Sequence, residues 1–320
     1  MDLAPIILFV YNRPEHTLKT LEALSKNILA PECKLYIFSD GVKNTQNASN
    51  LSSVNRVREI IKQNKWCKEV VIVEQKINKG LAASIKTGVT EIVEKYGSVI
   101  VLEDDLITSP YFLNYMNAAL NFYQNYLSVF SISAYTYPLK KMEIPRDYNF
   151  DVFVGLRNSS WGWATWKNRW EKIDWNVSAY NQVKEIPAIK EALNRGGDDV
   201  FDLLEMQQTG KLNIWSIQFT IAHFINHAVS IIPTKSYVNN IGHDGSGENC
   251  HISTSLQNLE LNTQSNPKFL DILYQDKRII NAFYNVNCRT KRPLWQKIIN
   301  KICRLSGRNN YFVIKKKIYE

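Results

Sequence analysis

The stretch Ser98-Val-Ile-Val-Leu-Glu-Asp-Asp-Leu-Ile-Thr-Ser-Pro110 constrains this chain more than any other. An apolar run from Val99 to Leu102 leads without a break into three acids, Glu103, Asp104 and Asp105, and Pro110 then suits a helix start. A short unbroken apolar run marks a strand buried on both faces of a parallel sheet. Acids at the C-terminal end of such a strand stand where open α/β sheets bind ligands. Adjacent carboxylates repel one another, so this placement is favourable only if a cation neutralises them. A divalent metal carrying phosphate meets that need, because hard cations take carboxylate and phosphate oxygens together. A solvated acidic loop is the plain alternative; the strand before the acids and the helix after them favour the metal.

The neighbouring segments repeat the same unit. Ala4–Tyr11 reads as an all-apolar strand, and Pro14 begins a helix with Leu18, Leu21 and Leu24 on one side. Lys34–Gly41 is the next strand, followed by a polar linker and a helix from about Val54 to Lys65. Glu69–Glu74 is a third strand, and Asn78-Lys-Gly80 turns into a helix from Leu81 to Lys95. After the acids, a helix from about Pro110 to Tyr126 and a strand Val129–Ala134 complete the series. Alternating strands and helices over residues 4–134 predict an α/β fold with a Rossmann-like, mostly parallel sheet and flanking helices. The first strand is not followed by GxGxxG, which argues against a dehydrogenase-type dinucleotide site.

Beyond Tyr135 the periodicity breaks. Residues 150–175 are aromatic and irregular, with Trp161, Trp163, Trp166 and Trp170 not sharing one helical face. Such a cluster packs as an aromatic mini-core or stands as a wall on which sugar rings stack, with Trp161 and Trp163 the candidates for the wall. Gly196-Gly-Asp-Asp199 precedes a helix of about Val200–Thr209, and a helix Trp215–Asn226 leads to a strand Ala228–Ile232. Asn239–Gly247 is a Gly-rich loop whose backbone N–H groups can approach a phosphate closely.

The net charge of +9 belongs to one end. Cys288–Glu320 holds ten Lys or Arg against Glu320 alone, which leaves residues 1–287 formally neutral. Within it, Leu294, Trp295, Ile298, Ile299, Ile302 and Leu305 form one helical face and Lys297, Lys301 and Arg304 lie opposite. A basic amphipathic helix of this kind over 293–320 lies on an anionic membrane surface or caps the domain. Its cations alternate with aliphatics rather than stacking aromatics, so no nucleic acid is expected. Five scattered cysteines without CxxC spacing argue against a disulfide framework and a zinc site, and the cytoplasm is the expected compartment. The run Leu3–Val10 is too short and wrongly flanked for a signal peptide, and no stretch is long enough to span a bilayer.

Together these motifs resemble the GT-A nucleotide-sugar glycosyltransferases, most nearly the N-acetylglucosaminyltransferase I-like branch and bacterial transferases of glycosyltransferase family 2. The resemblance rests on Phe9–Pro14, Ser39–Gly41, Asn78–Leu81, Val101–Phe112, Ser159–Trp166, Gly196–Asp199 and Asn240–Gly247, and covers roughly residues 4–250. It implies a nucleotide-sugar-binding half over 1–135, an aromatic-rich acceptor half of the same domain over 136–260, and a basic helical tail over 261–320. Arg13 would contact the nucleotide, Asp40 would read the uracil edge, and Lys79 with the helix opening at Gly80 would lie by the phosphates. Glu103-Asp104-Asp105 matches the DXD-type motif, with Asp105 the direct Mn²⁺ or Mg²⁺ ligand and Glu103 and Asp104 nearer the ribose and donor sugar.

The implied enzyme is a metal-dependent, inverting hexosyl- or N-acetylhexosaminyltransferase. It would move a sugar from a UDP-sugar to a glycan or lipid-linked acceptor in bacterial surface polysaccharide synthesis, at the inner face of the cytoplasmic membrane. Such chemistry needs a carboxylate as general base for the acceptor hydroxyl. Relatives carry an acid near Leu212–Ser216, where this chain has Asn213, and a His near position 249, where it has Asn249. Asp198 and Asp199 are the substitute bases, with Asp244 and Glu248 behind them and a helix N-cap pair as the alternative for the first two. His243 and His251 are the substitute metal or phosphate contacts. Two other classes stay open: a weakened nucleotide-sugar- or glycan-binding protein, and a nucleotidyltransferase, which would need a basic Gly-rich loop in place of Tyr11-Asn-Arg-Pro14.

Overall fold

The computed structural model describes residues 3–43, 46–245, 260–288 and 299. The strands are β1 (Ile6–Val10), β2 (Lys34–Ser39), β3 (Glu69–Glu74), β4 (Ser98–Glu103), β5 (Leu106–Thr108), β6 (Val129–Ser133), β7 (Val152–Gly155), β8 (Trp163–Trp166), β9 (Val229–Pro233) and β10 (Val238–Asn240). The helices are α1 (Pro14–Ser25), α2 (Ala48–Lys62), α3 (Leu81–Tyr96), α4 (Phe112–Tyr123), α5 (Lys167–Trp170), α6 (Tyr180–Glu185), α7 (Pro187–Leu193), α8 (Val200–Gln208), α9 (Ser216–Ile225) and α10 (Lys277–Asn287).

Eight strands form one sheet in the order β3-β2-β1-β4-β8-β6-β9-β7, and β10 pairs with β5 in a two-stranded sheet. β3, β2, β1 and β4 are parallel. β8 lies antiparallel between β4 and β6, β9 is parallel to β6, and β7 closes the far edge antiparallel to β9. The mixed α/β architecture and mostly parallel sheet agree with the sequence reading.

Side-chain alternation along β1 explains the two layers of core. Ile6, Leu8 and Val10 pack with Leu21 and Leu24 of α1 and with Val57, Ile60 and Ile61 of α2. Ile7 and Phe9 point the other way, onto Ile85, Val89 and Ile92 of α3. The polar segment before Val54 is helix rather than linker: Asn47 caps α2 by accepting from the Asn50 N–H, and the first turns face solvent.

The aromatic stretch is a second correction. It contains two strands, and Trp163 is a core residue at 1% exposure, stacked between Trp170 and Trp215 with ring centroids 5.7 and 4.7 Å away. A ring enclosed in this way offers no face to a sugar, so Trp163 is not a stacking wall. Residues 262–288, expected within the tail, pack onto the body: Leu270 is fully buried and donates its N–H to the Tyr123 hydroxyl, and Ile279 and Phe283 of α10 pack on Phe153 and Ile232. Apart from residue 299, the basic amphipathic segment from 293 lies outside the described residues, as do Glu248, Asn249 and His251. Cys33 and Cys67 are free, buried thiols, and burial raises each to about 12. Among the described residues no helix is long and apolar enough to cross a membrane.

Candidate active site

The chain leaves β1 for β2 and β3 on one side, then returns to β4 on the other. The C-terminal ends of β1 and β4 therefore flank a topological switch point, the place where open α/β sheets hold ligands. Arg13 follows β1, and Asp104 and Asp105 follow β4. The Arg13 Nη2 pairs with Asp104 Oδ1 and lies 3.0 Å from Asp105 Oδ2, while Nε is 3.4 Å from Asp104 Oδ2. The cation that the acids require is thus supplied first by the chain itself. Burial acting alone would lower the guanidinium, but the fields of Asp104 and Asp105 outweigh it and hold Arg13 above its ordinary range.

One guanidinium does not balance three carboxylates. Burial, then the fields of Asp105 and Asp104, push the Glu103 carboxyl up to about 8, with Arg13 opposing. Burial raises Asp104 as well, again against Arg13. The Arg13 Nη1 is buried beside the acids and has no acceptor among the described residues, so one donor of the fork is unused. Thr20 of α1 donates to the Asp104 carbonyl at 2.9 Å and fixes the turn that carries the acids.

The distant Gly-rich loop reaches the same point. β10 pairs antiparallel with β5, and the Ile241 N–H donates to the Asp105 carbonyl at 2.9 Å. Gly242 then lies so close that a Cβ there would stand 2.2 Å from Asp105 Oδ2 and 3.0 Å from Arg13 Nη1. The His243 ring follows, edge-on to Trp161 at 5.2 Å, and Asp244 Oδ2 lies 3.1 Å from His16 Nε2 on α1. Asp105 and His243 are thereby brought to one neighbourhood. Among the described residues, however, no three His, Cys, Asp or Glu side chains form a ready-made metal cage. The donor set still suits Mg²⁺ or Mn²⁺, since these ions are held by one or two carboxylates together with substrate phosphates.

Asp40 and Lys79 meet beside this crevice in an arrangement the sequence reading did not foresee. Asp40 Oδ1 accepts from the backbone N–H of Gly41 and Lys79 at 2.8 and 2.9 Å, and Oδ2 accepts from Gly80 at 2.9 Å. The carboxylate thus binds the turn that leads into α3, and both its oxygens are used by backbone N–H groups. Gly41 permits the contact, because a Cβ would lie 2.4 Å from the Ile77 carbonyl carbon. Arg58, which sequence reasoning missed, ties the ends of β2 and β3 by donating to the Gln75 carbonyl at 2.7 Å.

A cavity of about 320 Å³ lies further along the C-terminal edge, beyond β8 and β6. Its walls come from Tyr135–Tyr137 after β6, Arg157–Trp161 before β8, the first turn of α9, and Phe283 and Asn287 of α10. Leu212, Ile214 and Ser216 line it, so the segment where relatives carry an acid does face a cavity, but no carboxylate is among the described residues lining it. Asp199 stands behind the wall: its Oδ1 accepts from Arg157 Nη1 at 2.8 Å. Asp198 Oδ2 accepts from Cys288 Sγ at 3.0 Å and lines a separate hollow with Tyr284. Asp199, at the N-cap of α8, makes no side-chain cap; Asn194 serves there by accepting from the Phe201 N–H. Neither acid is among the described residues that line the cavity; Asp199 is engaged by the Arg157 guanidinium and Asp198 by the Cys288 thiol. Trp161 does reach the cavity, with Tyr135 against it at 4.3 Å.

No family model matches the chain, and no curated protein matches it. Solved structures similar to it include a mannosyltransferase, PcManGT from Pyrobaculum calidifontis, in complex with GDP-Man and Mn²⁺. That match has 16% identity and a TM-score of 0.35, covering 54% of this chain and 49% of that one. Residues 1–349 of TarS from S. aureus match at 12% identity and a TM-score of 0.38, over 74% of this chain and 59% of that one. An apo UDP-glucose pyrophosphorylase matches at 12% identity and a TM-score of 0.37, over 74% and 93%. The chain thus spans about half to three fifths of the length of the first two of these. At such scores the likenesses carry no inference about activity, which rests on the geometry above.

Proposed function

We propose that this chain is a glycosyltransferase that holds a UDP-sugar in the crevice between β1 and β4 and passes the sugar, with inversion, to a glycan or lipid-linked acceptor. One observation carries the reading: Arg13, with a buried unused donor, and an acidic trio that it compensates only in part meet at the switch point, under a Gly-rich loop closed onto Asp105. Arg13 Nη1 would take an oxygen of the diphosphate, as a guanidinium suits phosphate geometry. Asp105, with Asp104 and His243 beside it, would hold Mn²⁺ or Mg²⁺. When bound, that ion neutralises the negative charge that grows on a departing nucleoside diphosphate. Asp40 positions Lys79 and Gly80 rather than reading the base directly. The setting we propose is bacterial surface polysaccharide assembly in the cytoplasm, with residues 293–320 resting on anionic lipid.

A second reading, a binding protein without turnover, is favoured by the cavity, which has no carboxylate among its described lining residues. Calorimetry with UDP and Mn²⁺, followed by a donor-turnover assay, separates the two. Turnover that falls about 10²–10³-fold in Asp105→Asn supports the transferase. UDP binding with no turnover or hydrolysis of any donor selects the binding protein, and failure to bind UDP rejects both.

A further inference from the structure

β3 is the outermost strand of the large sheet, and its outer edge pairs with no strand among the described residues. The opposite edge is shielded: all of β7 is buried, and Phe153 packs with Met142 and with Ile279 of α10. β3 is only half-buried from Val70 to Val73. Its ladder with β2 runs from Lys34–Glu69 to Ser39–Glu74 without a bulge, and the strand carries no proline and no charge between its two end residues. Proteins blunt open edges with just these devices, so a straight Val-Val-Ile-Val edge without them is a template for another strand. The backbone also fixes which residues can pair. The Gln75 N–H donates to the Ser39 carbonyl at 2.9 Å, so the odd-numbered residues of β3 face β2. The N–H and C=O groups of Val70 and Ile72 therefore point outward.

From this we infer that a second copy of this chain pairs with the edge, β3 antiparallel to β3, about a two-fold axis at Val71. In that register Val70 and Ile72 of one copy exchange backbone hydrogen bonds with Ile72 and Val70 of the other, and Val71 meets its own twin. Charge complementarity selects the register: the exposed Lys68 comes opposite Glu74 at both ends of the pairing. A slip of one residue toward Ile72 would set outward groups against ones already bonded to β2, and would put Glu69 opposite Glu74. Moving the axis to Ile72 would place Lys68 opposite Lys76. Both layers of core continue across the axis, since Val70 and Ile72 pack on the side of α2, and Val71 and Val73 on the side of α3. β2 and β1 separate this edge from β4, so the dimer leaves the acidic crevice open and does not depend on what the crevice binds. Strands of six residues make a small interface, and the expected dissociation constant is micromolar.

The test is sedimentation velocity of the full chain from about 1 µM to about 300 µM, a range in which a micromolar dimer passes from mostly dissociated to mostly formed. Lys68→Glu changes an exposed side chain, sets like charges together at both ends, and weakens association about tenfold, less so at high salt. Val70→Pro removes an N–H that β2 does not use, which an open edge strand tolerates, and weakens association at least as much. Circular dichroism melts show whether each variant folds; Lys68→Glu, at the surface, carries the test if Val70→Pro does not. The register is read separately. Val71→Cys chains, oxidised by a copper catalyst at a concentration where the dimer forms, cross-link through residue 71 of both copies, as peptide mass mapping would show. Val73→Cys chains and the natural protein give no such link at these positions. A monomer throughout the range, a dimer indifferent to Lys68→Glu, or the absence of the link between the two residues 71 each overturns the inference.

Discussion

Arg13 is 91 residues from Asp104 in sequence, and their pairing decides what the acidic trio is. The need for a cation was legible in Glu103-Asp104-Asp105; that the chain supplies one was not, because a sequence shows no long-range pairs. With both partners mostly enclosed, removing one leaves buried charge without compensation. Arg13→Met is expected to lose about 3–5 kcal/mol in urea unfolding at neutral pH, with part regained on adding Mn²⁺. An unchanged midpoint would mean that water already screens the acids. Asp40 illustrates the same limit, since Ser39-Asp-Gly41 marks a strand end but conceals that its carboxylate serves the backbone of residues 79 and 80. Asp40→Ala strips three N–H groups of their acceptor and a helix N-terminus of its charge, at a cost of about 2–4 kcal/mol. Circular dichroism melts of Asp40→Ala and Asp40→Asn check this, with the amide variant intermediate.

Among the elements, α9 carries a pH dependence. His223 is fully buried; its Nδ1–H donates to the Phe219 carbonyl at 2.7 Å, and Nε2 lies 2.9 Å from the Ser131 hydroxyl. Burial lowers the ring from the usual 6.5 to about 4, with the Phe219 hydrogen bond opposing. Below 6.5 the unfolded chain therefore binds a proton that the folded one refuses, so stability falls as the pH drops from 6.5 to about 4. The loss is on the order of 3 kcal/mol, and it is absent above 6.5. Unfolding midpoints measured across that window should decline for the natural protein and stay flatter for His223→Gln; parallel curves would remove the histidine from the account. Legibility at this scale followed periodicity. The unbroken apolar strands β1, β2 and β4 were plain, and so were the leucine and isoleucine faces of α1 and α3. β8 was obscure because Trp163-Ala-Thr-Trp166 is too short to show a period, and its burial on both faces comes from its place between β4 and β6. Trp161 and Trp163 therefore read alike in sequence, although one lines a cavity and the other is core.

On the scale of the whole molecule, a clasp joins the two ends of the active-site wall. β10 and β5 pair in their own small sheet, Ser109 donates its N–H to the Tyr237 carbonyl at 2.8 Å, and the loop beyond β10 descends onto Asp105. The site is therefore complete only when residues near 240 have found residues near 105, a long-range closure that no local pattern in the sequence announces. Gly242 is the residue on which this closure can be tested. An added methyl would meet Asp105 Oδ2 at 2.2 Å, and the carboxylate cannot swing aside without leaving Arg13. Overpacking of this kind costs about 1–3 kcal/mol, small against the stability of an α/β domain of this size, so Gly242→Ala should fold. What it loses is the register of loop against acids, and with it UDP and Mn²⁺ binding, by about tenfold or more for each 1.4 kcal/mol of misplacement. Titration of this variant, beside a Gly196→Ala control where the added methyl meets only ordinary contacts of 3.4 Å or more, reads the effect directly. Wild-type affinity in Gly242→Ala would mean that the loop merely rests against the acids and takes no part in the site.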